Sequence, residues 1–391
     1  MRISHVQATF SPEHGGPYYS LSNYCVEQRR AGHTVSVRTL SGLPGTTSAN
    51  IRDSAIDLKA FPVEFPSKLG CSRTLRKQIR NDISPDVYHL HGAWMLPMVY
   101  AANEARRRRR PYVLELMGAY ESYSLRTKWL RKTIARICFQ DRIIEGASAL
   151  HVNSATEGEQ LRRLGFKGPL AVLPVGVDMM QFVRSSPRIS TAPPQGEACA
   201  GRRILLYVAR VHEKKGIELL LPAWCIFSQQ FKEWTLVVAG EGEPAYVERC
   251  KGLAARLGID DSVRWLGHIT SESKVALLHE ADAYVLPSLS ENFGNSIAEA
   301  LAAGTMVITT KNTPWGLVED AGCGLIASAD IKSIAGALLE MGKRTRPQLK
   351  EMGALGRRLV EERFSLHATV NGLERLYHWV INGGKPPPFL R

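Results

Sequence analysis

Residues 283–309, AYVLPSLSENFGNSIAEALAAGTMVIT, decide how the chain folds. Ala283–Leu286 is a short apolar run of strand type, a polar loop follows, and Ser296–Ala303 has the composition of a helix. After Gly304 the run Met306–Thr309 is strand-like again. Strand, loop, helix and strand in so short a stretch is one turn of an α/β winding, in which helices cover both faces of a parallel sheet.

The same alternation extends in both directions. Upstream lie the strands Ile204–Ala209, Thr235–Ala239 and Val263–Leu266, with the helices Gly216–Phe227 and Pro244–Leu257 between them. The first 180 residues repeat the pattern through Arg2–Ala8, His33–Arg38, Val87–Leu90, Tyr112–Leu116, Ala149–Val152 and Ala171–Leu173. Between the two series, residues 182–201 (FVRSSPRISTAPPQGEACAG) are rich in Ser, Pro, Gly and Ala and show no sustained period, the mark of a linker. A chain of 391 residues also exceeds the size at which one core keeps growing. The expected fold class is therefore α/β: two Rossmann-like, doubly wound domains, 1–181 and 202–371, facing across a crevice at the carboxyl ends of their strands, where such sheets bind ligands.

Two loops carry chemistry. In the first, the N–H groups of Phe293, Gly294, Asn295 and Ser296 open a helix. Such an N-terminus carries about half a positive charge and favours a phosphate. Glu291 and Glu299 flank it, and each can reach a hydroxyl-bearing ligand from a different depth. Capping and dipole complementation are the ordinary roles of such glutamates; the buried strand before them favours a ligand here. In the second loop, YVARVHEKKG at 207–216, Arg210 and Lys215 flank the same strand ends and can neutralise a pyrophosphate, whereas Lys214 reads as solvated. No D-x-D and no Asp/His cluster has metal-ligand spacing, so no metal and no other cofactor is expected.

The order of these motifs resembles the large retaining glycosyltransferase family 4 (glycosyltransferase group 1), of GT-B fold. The hallmark Glu-x7-Glu reads Glu291-NFGNSIA-Glu299 here. The resemblance runs through Gly15-Gly16, GHTVSV at 32–37, DVYHLHG at 86–92, LPVGVD at 173–178, VVAGEGE at 237–243, WLGHIT at 265–270 and EALAAGTMVITT at 299–310. It implies transfer of a sugar from a UDP- or GDP-linked donor to a glycan, lipid-linked or other hydroxyl acceptor, in bacterial polysaccharide or glycoconjugate synthesis. Glu291 would meet the donor sugar and Glu299 the ribose hydroxyls. Asn292 and the Phe293–Ser296 amides would hold groups near the bond that breaks. Arg210 and Lys215 would bind the diphosphate, and Gly16 would pack against it from the acceptor-binding N-terminal domain. Gly267, His268 and Ile269 would lie by the nucleobase. His91 in HLHG is the acceptor-side candidate; Met117 stands where relatives often carry a histidine or another polar residue, a departure from the family pattern that His91 is not taken to fill. The tail from Leu366 to Ile381 reads as helical, and the resemblance implies that the C-terminal helix, at 372–391, would cross back to the N-terminal domain. Cations and amides can stabilise the leaving diphosphate without a metal; the resemblance implies retention of configuration by front-face attack, in which a donor phosphate oxygen takes the acceptor's proton.

The formal charge is +13 and is uneven: residues 1–180 hold 25 Lys and Arg against 15 Asp and Glu, the remainder 25 against 22. That asymmetry suggests an anionic partner for the first half, such as a peripheral membrane contact. In RTKWLRKTIARICFQDR at 126–142, one helical face gathers Trp129, Leu130, Ile134, Ile137 and Cys138. It suits either a core-facing helix or a membrane surface, and basic SKLGCSRTLRKQIR at 67–80 supports the second. Arg106–Arg110 fits a solvated helix end. Seven scattered cysteines without C-x-x-C spacing, no signal-like start and no run approaching about 18 apolar residues give a cytoplasmic expectation. Competing readings are a GT-B nucleotide-sugar epimerase or hydrolase and, with no nucleic-acid module signature in its favour, a nucleic-acid-binding protein. A dinucleotide oxidoreductase is disfavoured because no G-x-G-x-x-G follows the first strand.

Overall fold

A computed structural model describes residues 1–43, 51, 53–121, 124–125, 127, 129–183 and 201–391. Most of the expected linker, together with Cys199, Arg126 and Lys128, lies outside the described residues. The chain forms two compact units, Met1–Gly176 with Leu366–Arg391, and Val177–Ser365. The first hand-over thus falls after Gly176 rather than after 181. The second falls at Leu366, because Leu366–Asn382 is one continuous helix.

The first unit carries seven parallel strands: β1 Arg2–Gln7, β2 Thr34–Ser41, β3 Asp57–Pro62, β4 Val87–His91, β5 Tyr112–Glu115, β6 Ala149–Val152 and β7 Leu170–Val172. Their order is β3-β2-β1-β4-β5-β6-β7. Strands β4, β5 and β6 are buried throughout, as expected for a parallel sheet covered on both faces. The C-terminal helix belongs to this unit: Leu373, Leu376 and Tyr377 join Ile3, Tyr24, Val113 and Leu173 in one apolar cluster. Gly372 permits that contact, since a Cβ there would stand 2.5 Å from Leu173 Cδ2.

Much of this unit's positive charge is structural. Arg38, buried on β2, pairs with Asp57 (2.5 Å) and Asp82 (2.7 Å). Arg106 donates to Arg142 O (2.6 Å) and Arg108 to Asp82 O (2.9 Å) and Arg80 O (2.5 Å), so two members of the arginine run tie a helix end to its neighbours, while Arg107 pairs with Glu104 (2.5 Å) within its own helix. The helix Trp129–Ala135 and the π-helical turn Arg136–Gln140 behave differently. Trp129, Leu130, Ile134 and Ile137 are 64, 58, 55 and 82% exposed, which rules out the core-facing alternative for that apolar face.

The second unit carries six parallel strands: β8 Arg203–Val208, β9 Trp234–Ala239, β10 Val263–Gly267, β11 Ala283–Leu286, β12 Val307–Thr310 and β13 Gly324–Ala327. The order is β10-β9-β8-β11-β12-β13. The winding reverses between β8 and β11, as it does between β1 and β4 in the first unit. Loops after such neighbouring strands diverge and leave a crevice over their carboxyl ends. The loops after β8 and β11 are the two that the sequence singled out.

Candidate active site

Those two loops are knitted together by backbone. The Leu289 N–H donates to Lys214 O (2.8 Å). Gly216, at φ +72°, lies so close to the β11 loop that a Cβ would fall 2.0 Å from Pro287 O. The approach brings Lys215 Nζ to 2.5 Å from Glu291 Oε1, in a pair whose side chains are 18 and 8% exposed. Ser288, fully buried, donates from Oγ to the same oxygen (2.6 Å), and its own carbonyl accepts from Thr310 Oγ1 (2.5 Å). Glu291 is thus fixed from two sides before any ligand arrives.

The helix Asn295–Ala302 starts beside it, with Gly294 as N-cap at φ +85°. Its first turn leaves the N–H groups of Asn295 and Ser296 without intrahelical acceptors. Phe293 is buried against Trp315, whose indole N–H donates to Phe293 O, so the turn that aims these amides is held from behind. Ser296 Oγ accepts from Tyr284 (2.7 Å) on β11. One turn further along, Glu299 Oε1 receives Lys274 Nζ at 2.7 Å. Arg210 follows β8 and is exposed. Gly267, His268 and Ile269 end β10, two strands from β8. Gly267 O accepts from Gly240 N (2.7 Å), and His268 lies 3.4 Å from Glu241, both exposed. A cation pair, helix-start amides and two anchored carboxylates therefore gather on one sheet end, an arrangement suited to a diphosphate joined to hydroxyl-bearing groups.

The sequence reading overlooked Ser288 and Lys274. A serine three residues before Glu291 was a signal for the first. The second comes from the separate helix Ser271–Glu280, which only the tertiary fold brings to Glu299.

Gly16 and His91 belong to the first unit and sit by its own reversal point. Gly16 is the first residue of the helix Gly16–Arg30, behind Gly15 at φ +62°. His91, side chain fully buried, is placed for structure rather than for reaching solvent. Its Nδ1 lies 2.7 Å from Glu115 Oε2 and its Nε2 2.9 Å from His5 Nδ1, while His5 Nε2 donates to Gln28 Oε1 (2.8 Å). His89 joins Tyr377 OH (2.7 Å), and His151 donates to Leu173 O (2.8 Å). Burial, with His91 nearby, pushes His5 down to about 3. Burial also opposes ionisation of Glu115, but His151 and His91 outweigh it and hold the carboxyl at about 2. Among the described residues, His5 with His89 and His91, and His89 with Glu115 and His151, are the groups close enough to share a metal ion. The 2.9 Å between His5 Nδ1 and His91 Nε2 suits a hydrogen bond; two nitrogens on one tetrahedral zinc stand roughly 3.3 Å apart at bond lengths of about 2.0 Å. Met117 holds φ +53° in the turn before Gly118, whose N–H donates to buried Glu157 (2.7 Å).

Two doubly wound units, with parallel sheets of seven and six strands that each reverse their winding, have the GT-B fold. The chain belongs to the glycosyl transferases group 1 family, whose model matches residues 190–357, with a glycosyl transferase 4-like domain at 15–176. It is 28% identical over 256 residues to D-inositol 3-phosphate glycosyltransferase of Saccharomonospora viridis, covering 62% of this chain and 58% of that protein. It is also 28% identical over 212 residues to phosphatidyl-myo-inositol mannosyltransferase of Mycobacterium tuberculosis, covering 54 and 50%. The chain thus spans a little over half the length of the curated relatives it matches. Among solved structures, HepE of Anabaena with UDP and glucose superposes at TM-score 0.76 and 17% identity, over 96% of this chain and 99% of that one. Sucrose-phosphate synthase of Thermosynechococcus elongatus superposes at 0.79 and 19%, over 98 and 100%. These two share the fold.

Proposed function

We propose that the protein transfers a sugar, with retention of configuration and without a metal, from a nucleoside diphosphate donor to a hydroxyl acceptor. The observation that carries this reading is the Lys215–Glu291 pair beside the Asn295–Ala302 helix start. Lys215, Arg210 and the Asn295 and Ser296 amides stabilise the diphosphate as it departs, and Glu291 meets the sugar as positive charge grows at its anomeric carbon. The acceptor oxygen attacks on the face the leaving group vacates, and a donor phosphate oxygen receives its proton. Sugar-acceptor bond formation and sugar-phosphate cleavage then balance without an enzymic base. The UDP held by HepE supports a nucleotide donor.

The acceptor we propose is phosphorylated or membrane-held, at the cytoplasmic face of a membrane. The inositol phosphate and phosphatidylinositol substrates in the names of the relatives support this chemistry. So do exposed Trp129, Leu130, Ile134 and Ile137 interleaved with Arg131, Lys132 and Arg136. No described helix is long and apolar enough to cross a membrane, so such contact would be peripheral. The test is a thermal-shift screen with UDP- and GDP-sugars, followed by NMR of the product's anomeric configuration in excess chelator. Inversion, or loss of turnover restored by magnesium or manganese, refutes the mechanism. Free sugar released at full rate without any acceptor supports the hydrolase alternative.

A further inference from the structure

Lys274 stands where helix electrostatics disfavour it. It is the fourth residue of the helix Ser271–Glu280, whose start is capped by Thr270, and a cation near that positive end gains nothing from the macrodipole. What it does gain is Glu299: Nζ lies 2.7 Å from Oε1, and only 27 and 23% of the two side chains are exposed. A carboxylate three-quarters buried at the rim of a diphosphate site carries two liabilities. Its charge repels the ligand's phosphates, and its free rotation blurs the direction in which it accepts a hydrogen bond.

We propose that Lys274 is the positioning residue of the nucleoside subsite. By holding Glu299 Oε1 it leaves Oε2 as the acceptor offered to the ribose diol, and by neutralising Glu299 it removes the repulsion. The selectivity of the site for a ribonucleotide over its 2′-deoxy counterpart therefore depends on a lysine that need not touch the sugar. The inference rests on the reading that Glu299 meets the ribose.

The experiment measures, by calorimetry, the affinity of the intact protein for whichever of UDP and GDP it binds and for the 2′-deoxy form, in wild type, Glu299→Ala, Lys274→Ala and Lys274→Arg. Loss of a hydrogen bond to a charged group corresponds to roughly 10- to 100-fold, so wild type should prefer the ribonucleotide by about that factor. Glu299→Ala should abolish the preference. Lys274→Ala should reduce it to within about threefold and raise KM for the donor more than it lowers kcat; Lys274→Arg, still cationic, should keep most of it. A preference that survives Glu299→Ala overturns the ribose assignment itself. A preference lost in Glu299→Ala but undiminished in folded Lys274→Ala overturns the role of Lys274 alone, as does a loss confined to kcat.

Discussion

Replacing Glu291 with glutamine separates sugar chemistry from diphosphate binding. Lys215 is committed to Glu291 at 2.5 Å, with both side chains largely withdrawn from water. Two unit charges about 4 Å apart attract by about 4 kcal/mol at an effective dielectric near 20, but desolvation offsets most of that. The net worth of a hydrogen bond to a charged group is about 1.5–3 kcal/mol. A diphosphate must compete with Glu291 for Lys215, so Glu291→Gln frees the lysine. Affinity for the free nucleoside diphosphate should hold, or tighten by up to about tenfold, equivalent to about 1.4 kcal/mol. Turnover should meanwhile fall by about 100-fold or more, the usual cost of losing an electrostatic contact made in the transition state. Lys215→Ala should instead weaken nucleotide affinity by about 10-fold or more and lower turnover as well. Calorimetric titration beside turnover with the true donor and acceptor reads both quantities. If Glu291→Gln loses nucleotide affinity as severely as Lys215→Ala, the sugar does not lie beside Glu291 and the assignment of roles collapses.

Three further outcomes follow from other parts of the structure. Gly216→Ala places a Cβ against Pro287 O at positive φ, so it should cost roughly 1–3 kcal/mol in urea unfolding and should depress donor affinity; full stability would show that the two loops separate freely. His5, held down to about 3 by burial, stays neutral when folded but titrates near 6.5 when unfolded, so its share of stability is complete above 6.5 and is lost as pH falls toward 3. His5→Gln should therefore flatten the loss of stability between pH 6.5 and 5, worth about 2 kcal/mol from this group alone, and equal slopes in variant and wild type would contradict it. Vesicles containing anionic lipid should bind the protein at low salt and release it at high salt, and Ile134→Ser with Ile137→Ser should weaken binding; equal affinity for neutral vesicles would leave that helix as an ordinary surface.

The α/β alternation was legible from end to end because strands buried on both faces read as short apolar runs, complete in β11 (AYVL) and broken only at the last residue of β5 (YVLE). Domain boundaries were less legible. The tail reads as helical from Leu366 and is so, but the whole helix Leu366–Asn382 belongs to the first unit, whereas the hand-over was expected at 372. The helix at 129–135 shows the limit of periodicity. An apolar stripe says that a face wants to leave water but not what will cover it, and here Ile137 remains 82% exposed.

The site divides along the same physical line. Glu291, Lys215 and Gly294 could be found because each lies in the loop that follows a strand, and a strand's carboxyl end beside a reversal of winding is where side chains and helix-start amides converge. His91 also ends a strand beside a reversal of winding, yet its side chain is buried in a cluster of histidines instead of reaching out over the sheet end. Chain position locates a residue at a strand end; which neighbour supplies its hydrogen bond decides whether it is chemistry or scaffold. Glu115 captures His91 and removes it from the surface, while Lys274 captures Glu299 and keeps it at the rim. Neither partner lies within ten residues of the group it holds, so neither choice could be read without the fold.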